Sequence, residues 1–134
     1  MSDDMDTGRL QGVRILVVED APHVRDAFSL LLKAEGAAVL ATGSGCEAIE
    51  IAKEGRLDVL LTDLELPDVP GDFLIRQVLD RASPRPRVVV VTAAGESAVR
   101  YATQAGADAV LLKPITWERL LESLGPHASH TLAA

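Results

Sequence analysis

Leu60-Leu61-Thr62-Asp63-Leu64-Glu65-Leu66-Pro67, near the middle of the chain, sets an acid at the end of an apolar run. Val59 extends that run on one side, and Pro67, Pro70 and Gly71 shape the segment after Asp63. A buried strand that ends on a carboxylate and opens into a Pro/Gly loop holds a polar group on a rigid base. What Asp63 does depends on what the other strands bring to the same edge.

Similar runs lie on either side. Val13-Arg14-Ile15-Leu16-Val17-Val18 is almost continuously aliphatic and stops at Glu19-Asp20, and Ala37 to Thr42 forms a shorter run before Gly43-Ser44-Gly45. Arg87 to Val91 contains four consecutive valines and ends at Thr92, and Ala109 to Leu112 ends at Lys113-Pro114. Counted with Asp58 to Thr62, these read as five strands. β-Branched residues are stiff at χ1 and pack well on a pleated surface, and unalternating apolar runs suit strands buried on both faces.

Helical spacing fills the gaps. Asp20 before Ala21-Pro22 marks a helix start, Val24, Ala27, Phe28, Leu31 and Leu32 follow at helical spacing, and Gly36 closes the helix. Ala48, Ile51 and Ala52 give the next helix an apolar face ending at Gly55. Phe73, Leu74, Gln77, Val78 and Leu79 trace a third before the breaker Ser83-Pro84-Arg85-Pro86. A fourth reaches about Gln104, ahead of Ala105-Gly106. Thr116 can cap a fifth, with Trp117, Leu120, Leu121 and Leu124 inward. Strands alternating with helices predict an α/β fold, a doubly wound five-stranded parallel sheet covered on both faces. Right-handed crossovers favour the flavodoxin-like order 2-1-3-4-5, which puts a switch point between the first and third strands.

Composition limits the alternatives. The chain has 134 residues, 13 basic and 20 acidic, for a net charge of −7. This acidity argues against nucleic-acid binding, which depends on cationic surface. No apolar run approaches the roughly 18 residues of a membrane span. The N-terminus, Met1-Ser2-Asp3-Asp4-Met5-Asp6, is acidic where a signal peptide is basic and then apolar, so a cytoplasmic location is expected. Cys46 is the sole cysteine and reads as a small, partly buried helix residue. Residues 1–12 read as a flexible acidic tail, 13–124 as one domain, and 125–134 as a second flexible tail whose His127 and His130 are weak evidence for a metal.

The predicted topology collects Glu19, Asp20, Asp63, Thr92 and Lys113 at the carboxyl ends of the strands. Taken singly, Asp20 reads as a helix cap, Asp63 as a loop acid and Lys113 as a surface charge. Taken together they are three carboxylates, a hydroxyl and an ammonium on one edge. Crowded carboxylates resist ionisation unless a cation joins them, and hard oxygen donors suit Mg²⁺. A carboxylate beside that ion can attack phosphorus, with Lys113 and Thr92 to contact the phosphoryl oxygens.

Leu16-Val17-Val18-Glu19-Asp20, Thr62-Asp63-Leu64-Glu65-Leu66-Pro67, Val91-Thr92-Ala93 and Gly106-Ala107-Asp108 through Lys113-Pro114-Ile115 resemble the receiver domains of two-component response regulators. The resemblance covers about Val13 to Leu124. It implies that Asp63 is the phosphoacceptor for a phosphohistidine of a histidine kinase, or that the chain serves a phosphorelay. It implies Mg²⁺ held by Asp20, by Glu19 through water, by Asp63 and by the backbone carbonyl of Glu65. It further implies phosphate contacts from Thr92, Lys113 and the Ala93 backbone, and a cis Lys113-Pro114 bond.

Such a domain is a phosphoacceptor rather than an enzyme, and ten residues after Leu124 suggest output by protein contact. That contact is expected on the face of the fourth helix, fifth strand and fifth helix, or through transfer to a histidine of another protein.

Three positions depart from the family pattern. Val110 stands where the family usually carries Tyr or Phe, Glu65 adds an acid after the acceptor, and Pro70 stiffens the loop. Tyr101 is a candidate for part of the missing aromatic's role, against an ordinary surface position on the fourth helix. Two other functions remain open: an interaction module that switches weakly or without phosphorylation, and an aspartate-nucleophile phosphohydrolase. The second would want an aspartate where Glu65 stands, and room for a cap.

Overall fold

The computed structural model describes residues 8–124. Five parallel strands, β1 (Arg14–Val18), β2 (Ala38–Thr42), β3 (Val59–Thr62), β4 (Arg87–Thr92) and β5 (Ala109–Leu112), lie in the order β2-β1-β3-β4-β5. The helices are α1 (Pro22–Ala34), α2 (Gly45–Glu54), α3 (Gly71–Arg81), α4 (Glu96–Ala105) and α5 over residues 117–124. The α/β class and the strand order expected from sequence are both observed.

Alternation along each strand divides the interior into two layers. Ile15, Val17, Val59, Leu61, Val89 and Val91 join Leu32 of α1 and Leu120, Leu121 and Leu124 of α5 in one cluster. Leu16, Val18, Leu60, Val88 and Val90 join Ala48, Ala52, Leu74, Ile75, Val78, Ala102 and Ala105 of α2, α3 and α4 in the other. A fully buried aliphatic side chain contributes about 1.5–3 kcal/mol. The central strands β1, β3 and β4 therefore anchor the fold, whereas the edge strand β2 leaves Ala38, Leu40 and Ala41 exposed.

Sequence expectations needed correction in several places. Residues 8–12 are not a loose tail. Leu10 is fully buried in the α1/α5 layer, its N–H donates to the Glu35 carbonyl at 2.8 Å, and Gly12 N–H donates to the Gly36 carbonyl at 3.2 Å. One large aliphatic side chain within reach of the core outweighs the polarity of its neighbours. The remaining tail residues, 1–7 and 125–134 with His127 and His130, lie outside the described residues.

Helix phase accounts for the others. Leu31 is 40% exposed because Leu32 takes the core-facing position. Cys46 is exposed, since Gly45 and Ala48 face the interior of α2. Asp20 is not the cap of α1: Ala21 is the N-cap, without a side-chain hydrogen bond, and Pro22 begins the helix. Pro70, expected to stiffen a loop, is the N-cap residue of α3.

Leu10→Ala is expected to destabilise the domain by about 2–4 kcal/mol, the cost of a core leucine truncation. A lowered urea midpoint with unchanged slope would show this; a truly detached tail would give no change.

Candidate functional site

Parallel pairing brings the carboxyl ends of the strands together. Val18 of β1 is in register with Thr62 of β3, and Thr92 of β4 with Leu112 of β5. The chain is also stitched just beyond these pairs. Asp63 N–H donates to the Val18 carbonyl at 3.1 Å, Glu19 N–H to Thr42 at 3.0 Å, and Lys113 N–H to Thr92 at 2.9 Å. Glu19, Asp63, Thr92 and Lys113 thus sit on one edge because the backbone there is fixed.

Lys113 lies at the centre. Its ammonium is 3.0 Å from Asp63 Oδ2 and 3.6 Å from Glu19 Oε1. Both acids are buried, Glu19 at 3% exposure and Asp63 at 8%. Partial burial pulls the Lys113 pKa down, but the hydrogen bond and charge of Asp63, aided by Glu19, outweigh it and the pKa is raised. The remaining acid oxygens take backbone donors. Asp63 Oδ1 accepts Leu64 N–H at 2.6 Å and Glu65 N–H at 3.2 Å, and Glu19 Oε2 accepts Ala21 N–H at 3.1 Å.

Thr92 is fully buried, and its Oγ1 accepts Ala94 N–H at 3.2 Å. That bond uses the oxygen and leaves the hydroxyl proton available. Ala93 follows at the exposed mouth. The Lys113-Pro114 bond is cis, as the resemblance implied.

The other sequence-predicted residues lie further out. Asp20 is exposed beside the mouth, Glu65 has an exposed side chain, and Val110 is partly buried against the α3/α4 layer. Tyr101 is 59% exposed on α4.

Among the described residues no three His, Cys, Asp or Glu side chains form a ready metal cage. The charge balance still fits a divalent cation. Two buried carboxylates share one ammonium, so negative charge is in excess, and Asp20 follows Glu19 in the chain with its side chain exposed. Mg²⁺ commonly takes one or two carboxylates and keeps water in its other positions. The donors present match that open pattern rather than a closed cage.

Sequence reading missed two contributors. Arg25 Nη1 of α1 donates to the Glu19 carbonyl at 3.0 Å and reaches the Asp20 carbonyl at 3.5 Å. Asp68 binds the N-terminus of α2 from the loop after β3. Ser44 and Glu47 do show a helix-start pattern in the sequence, with Ser44 Oγ accepting Glu47 N–H at 3.0 Å. Nothing local points from there to Asp68.

Comparison with known proteins agrees with this fold. The family model of the response regulator receiver domain matches residues 15–125. The chain belongs to the response regulator receiver domain family. It is 34% identical over 110 residues to the transcriptional regulatory protein CutR of Streptomyces coelicolor, covering 81% of this chain and 50% of CutR. The chain therefore spans about half the length of the CutR relatives it matches.

It is also 30% identical over 112 residues to the polar-differentiation response regulator DivK of Brucella anthropi, covering 82% of this chain and 91% of DivK. Among solved structures, the receiver domain of the sensor histidine kinase PA1611 from Pseudomonas aeruginosa superposes with a TM-score of 0.79 at 27% identity, over 88% of this chain and 98% of that one. That receiver was crystallised with a magnesium ion coordinated in its active-site cleft. Membership places the chain in two-component signalling, where receivers are phosphoacceptors rather than true enzymes.

Lys113→Met is expected to cost about 1–3 kcal/mol at neutral pH without divalent cations, since it leaves Asp63 and Glu19 without their shared partner. Folding raises the Lys113 pKa, so its stabilisation is complete below the unfolded lysine value of about 10.4 and is lost as pH climbs through the folded value. Urea melts of both proteins should show a constant difference from about pH 7 to 9 that shrinks above about pH 10.4.

Proposed function

We propose that Asp63 accepts a phosphoryl group, with Mg²⁺ present, from the phosphohistidine of a histidine kinase or histidine phosphotransfer protein, and that the chain signals this state by protein contact. The observation that carries this reading is the shared ammonium, with Lys113 bridging two buried carboxylates at the end of the sheet. Asp63 Oδ1 already accepts two backbone N–H groups, so Oδ2 is the oxygen free to attack once Lys113 turns to the incoming phosphate.

In the transfer Oδ2 bonds to phosphorus and the donor's phosphorus–nitrogen bond breaks. Its electron pair leaves on the imidazole, which takes a proton from solvent. Glu19, Asp20, Asp63 and the Glu65 carbonyl would hold Mg²⁺. When bound, Mg²⁺ neutralises charge on the transferring oxygens. Lys113 neutralises a further phosphoryl oxygen, Thr92 donates its free hydroxyl proton to one, and the Ala93 backbone N–H contacts another.

A protein donor has somewhere to dock. A hollow of about 560 Å³ lined by Val24, Phe28, Val91, Ala93, Pro114 and Ile115 opens beside Lys113. Its apolar wall suits a helix that carries a phosphohistidine to Lys113.

For output we assign the α4–β5–α5 face, where Leu112 is 55% and Tyr101 59% exposed. A second hollow of about 520 Å³ follows β5 there, lined by Val110, Leu112, Ile115 and Arg119 among others. Val110 offers no aromatic ring to swing inward, so Tyr101 contributes as a contact on that surface. A cytoplasmic site of action belongs to this reading. The phosphohydrolase alternative would want an aspartate where this chain has Glu65.

Incubated with Mg²⁺ and a small phosphodonor, the wild type should take an acid-stable, base-labile phosphate, and Asp63→Asn should take none. An unlabelled wild type would sink the proposal, and label surviving in Asp63→Asn would move the acceptor elsewhere. Ile115→Asp should slow transfer from a phosphorylated histidine protein by about tenfold, roughly 1.4 kcal/mol of lost contact. Labelling by the small donor should be unaffected. Equal slowing with both donors would refute the docking role.

A further inference from the structure

The loop that carries Asp63 is fastened by a residue with no part in the chemistry above. Asp68 Oδ1 accepts Gly45 N–H at 2.9 Å. Its Oδ2 accepts Cys46 N–H at 3.0 Å and the Ser44 hydroxyl at 2.8 Å. All these donors belong to the start of α2, where backbone N–H groups lack helical partners and a negative charge is favoured. The Cys46 N–H above all, then the Ser44 hydroxyl and Gly45 N–H, hold the Asp68 carboxyl well below the usual carboxylate range.

Packing reinforces the clasp. A Cβ on Gly45 would lie 2.3 Å from Val69 Cγ2 and 3.3 Å from Leu66 Cδ1, so the loop rests directly on the helix backbone.

The same turn of α2 also reaches the acidic pair. Ser44 N–H donates to Thr42 Oγ1 at 3.0 Å, and the Thr42 carbonyl accepts Glu19 N–H at 3.0 Å. The end of β1 and the loop after β3 are therefore tied to one structural element. At the other end of that loop, Leu64 and Glu65 place their N–H groups on Asp63, and the Leu64 carbonyl accepts Gly71 N–H at 3.1 Å.

We propose that Asp68 is a positioning residue for phosphoryl transfer: by clasping the loop to α2 it holds the Leu64 and Glu65 amides on Asp63 and the Glu65 carbonyl at the mouth of the site. The inference rests on the reading of Asp63 as phosphoacceptor. Without the clasp, the segment between Asp63 and Pro70 keeps its two ends and the apolar packing of Leu66 and Val69 but loses its polar tie to α2, and the Glu65 peptide can turn away.

Three measurements on Asp68→Ala and Asp68→Asn test it: amide hydrogen exchange at Leu64 and Glu65 in metal-free protein, Mg²⁺ affinity by calorimetry, and the rate of labelling from a small phosphodonor. Asp68→Ala should speed that exchange, weaken Mg²⁺ binding and slow labelling, the last two by about tenfold, as for loss of a partner that orients a ligand. Asp68→Asn keeps a carbonyl oxygen for one α2 amide and should recover most of the loss.

A lower melting temperature with unchanged exchange, Mg²⁺ affinity and labelling would overturn the inference. If Asp68→Ala does not fold, Ser44→Gly removes one contact while glycine remains an acceptable N-cap, and it should shift all three measurements in the same direction. No shift there would likewise overturn it. A wild type that takes no label condemns the phosphoacceptor reading instead, while the exchange data still judge the clasp.

Discussion

Two buried carboxylates sharing a single ammonium is the constraint on which the rest of this site depends. Burying a charge is costly unless it is paired, and each acid here has only part of Lys113. The remainder comes from backbone amides of Ala21, Leu64 and Glu65, which the fold must hold in place. A parallel sheet does this well, because its strands deliver their carboxyl ends side by side and the following helices fix the turns. Glu19, Asp63, Thr92 and Lys113 come from four strands, so losing the register of any one would separate the acids from their partners. An arrangement of this kind is poor evidence for stability by itself. Its excess negative charge is better understood as a standing demand for a cation.

The fold was readable from sequence because the strands are aliphatic and β-branched and each stops at a polar residue or a turn. The run through Val88–Val91 admits little besides a buried strand, and the helices between runs leave a parallel arrangement as the economical solution. The site was readable for the same reason, since its side chains stand at strand ends and topology alone brings them together.

What escaped depended on long-range contacts or on helix phase. Leu10 is a lone leucine in a polar stretch, and only the packed α1/α5 layer reveals that it belongs to the core. Leu31 and Leu32 are adjacent leucines of which one had to lose, and sequence spacing allowed both. Asp68 follows Pro67 as an unremarkable loop acid, and its partners are more than twenty positions away at the start of α2.

The departures from the family pattern take on different weights in three dimensions. Pro70 adopts φ −64° and ψ 145°, backbone that proline prefers, so it starts α3 without strain. Glu65 matters through its peptide, which lies on Asp63, while its side chain points to solvent. Val110 is the consequential one. It fills its place against the α3/α4 layer but has no ring to turn inward.

On the proposed reading, the signal must then originate in charge. A phosphoryl group adds roughly −1.5 to −2 charges where Lys113 already serves two acids. Lys113, now 3.0 Å from Asp63 Oδ2, would turn toward the oxygens of a phosphoryl group whose phosphorus is bonded to that atom. Its backbone is joined to Thr92 and leads directly into Pro114 and Ile115, which line the hollows on both sides of β5. On that reading the lysine that answers to the phosphate is followed directly in the chain by residues of the surface where a partner would bind. Glu19, left with less of the ammonium, would depend more heavily on Mg²⁺. On the proposed reading, the charge imbalance that would draw the cation is also the one a phosphoryl group on Asp63 would change, next to the loop of Pro114 and Ile115.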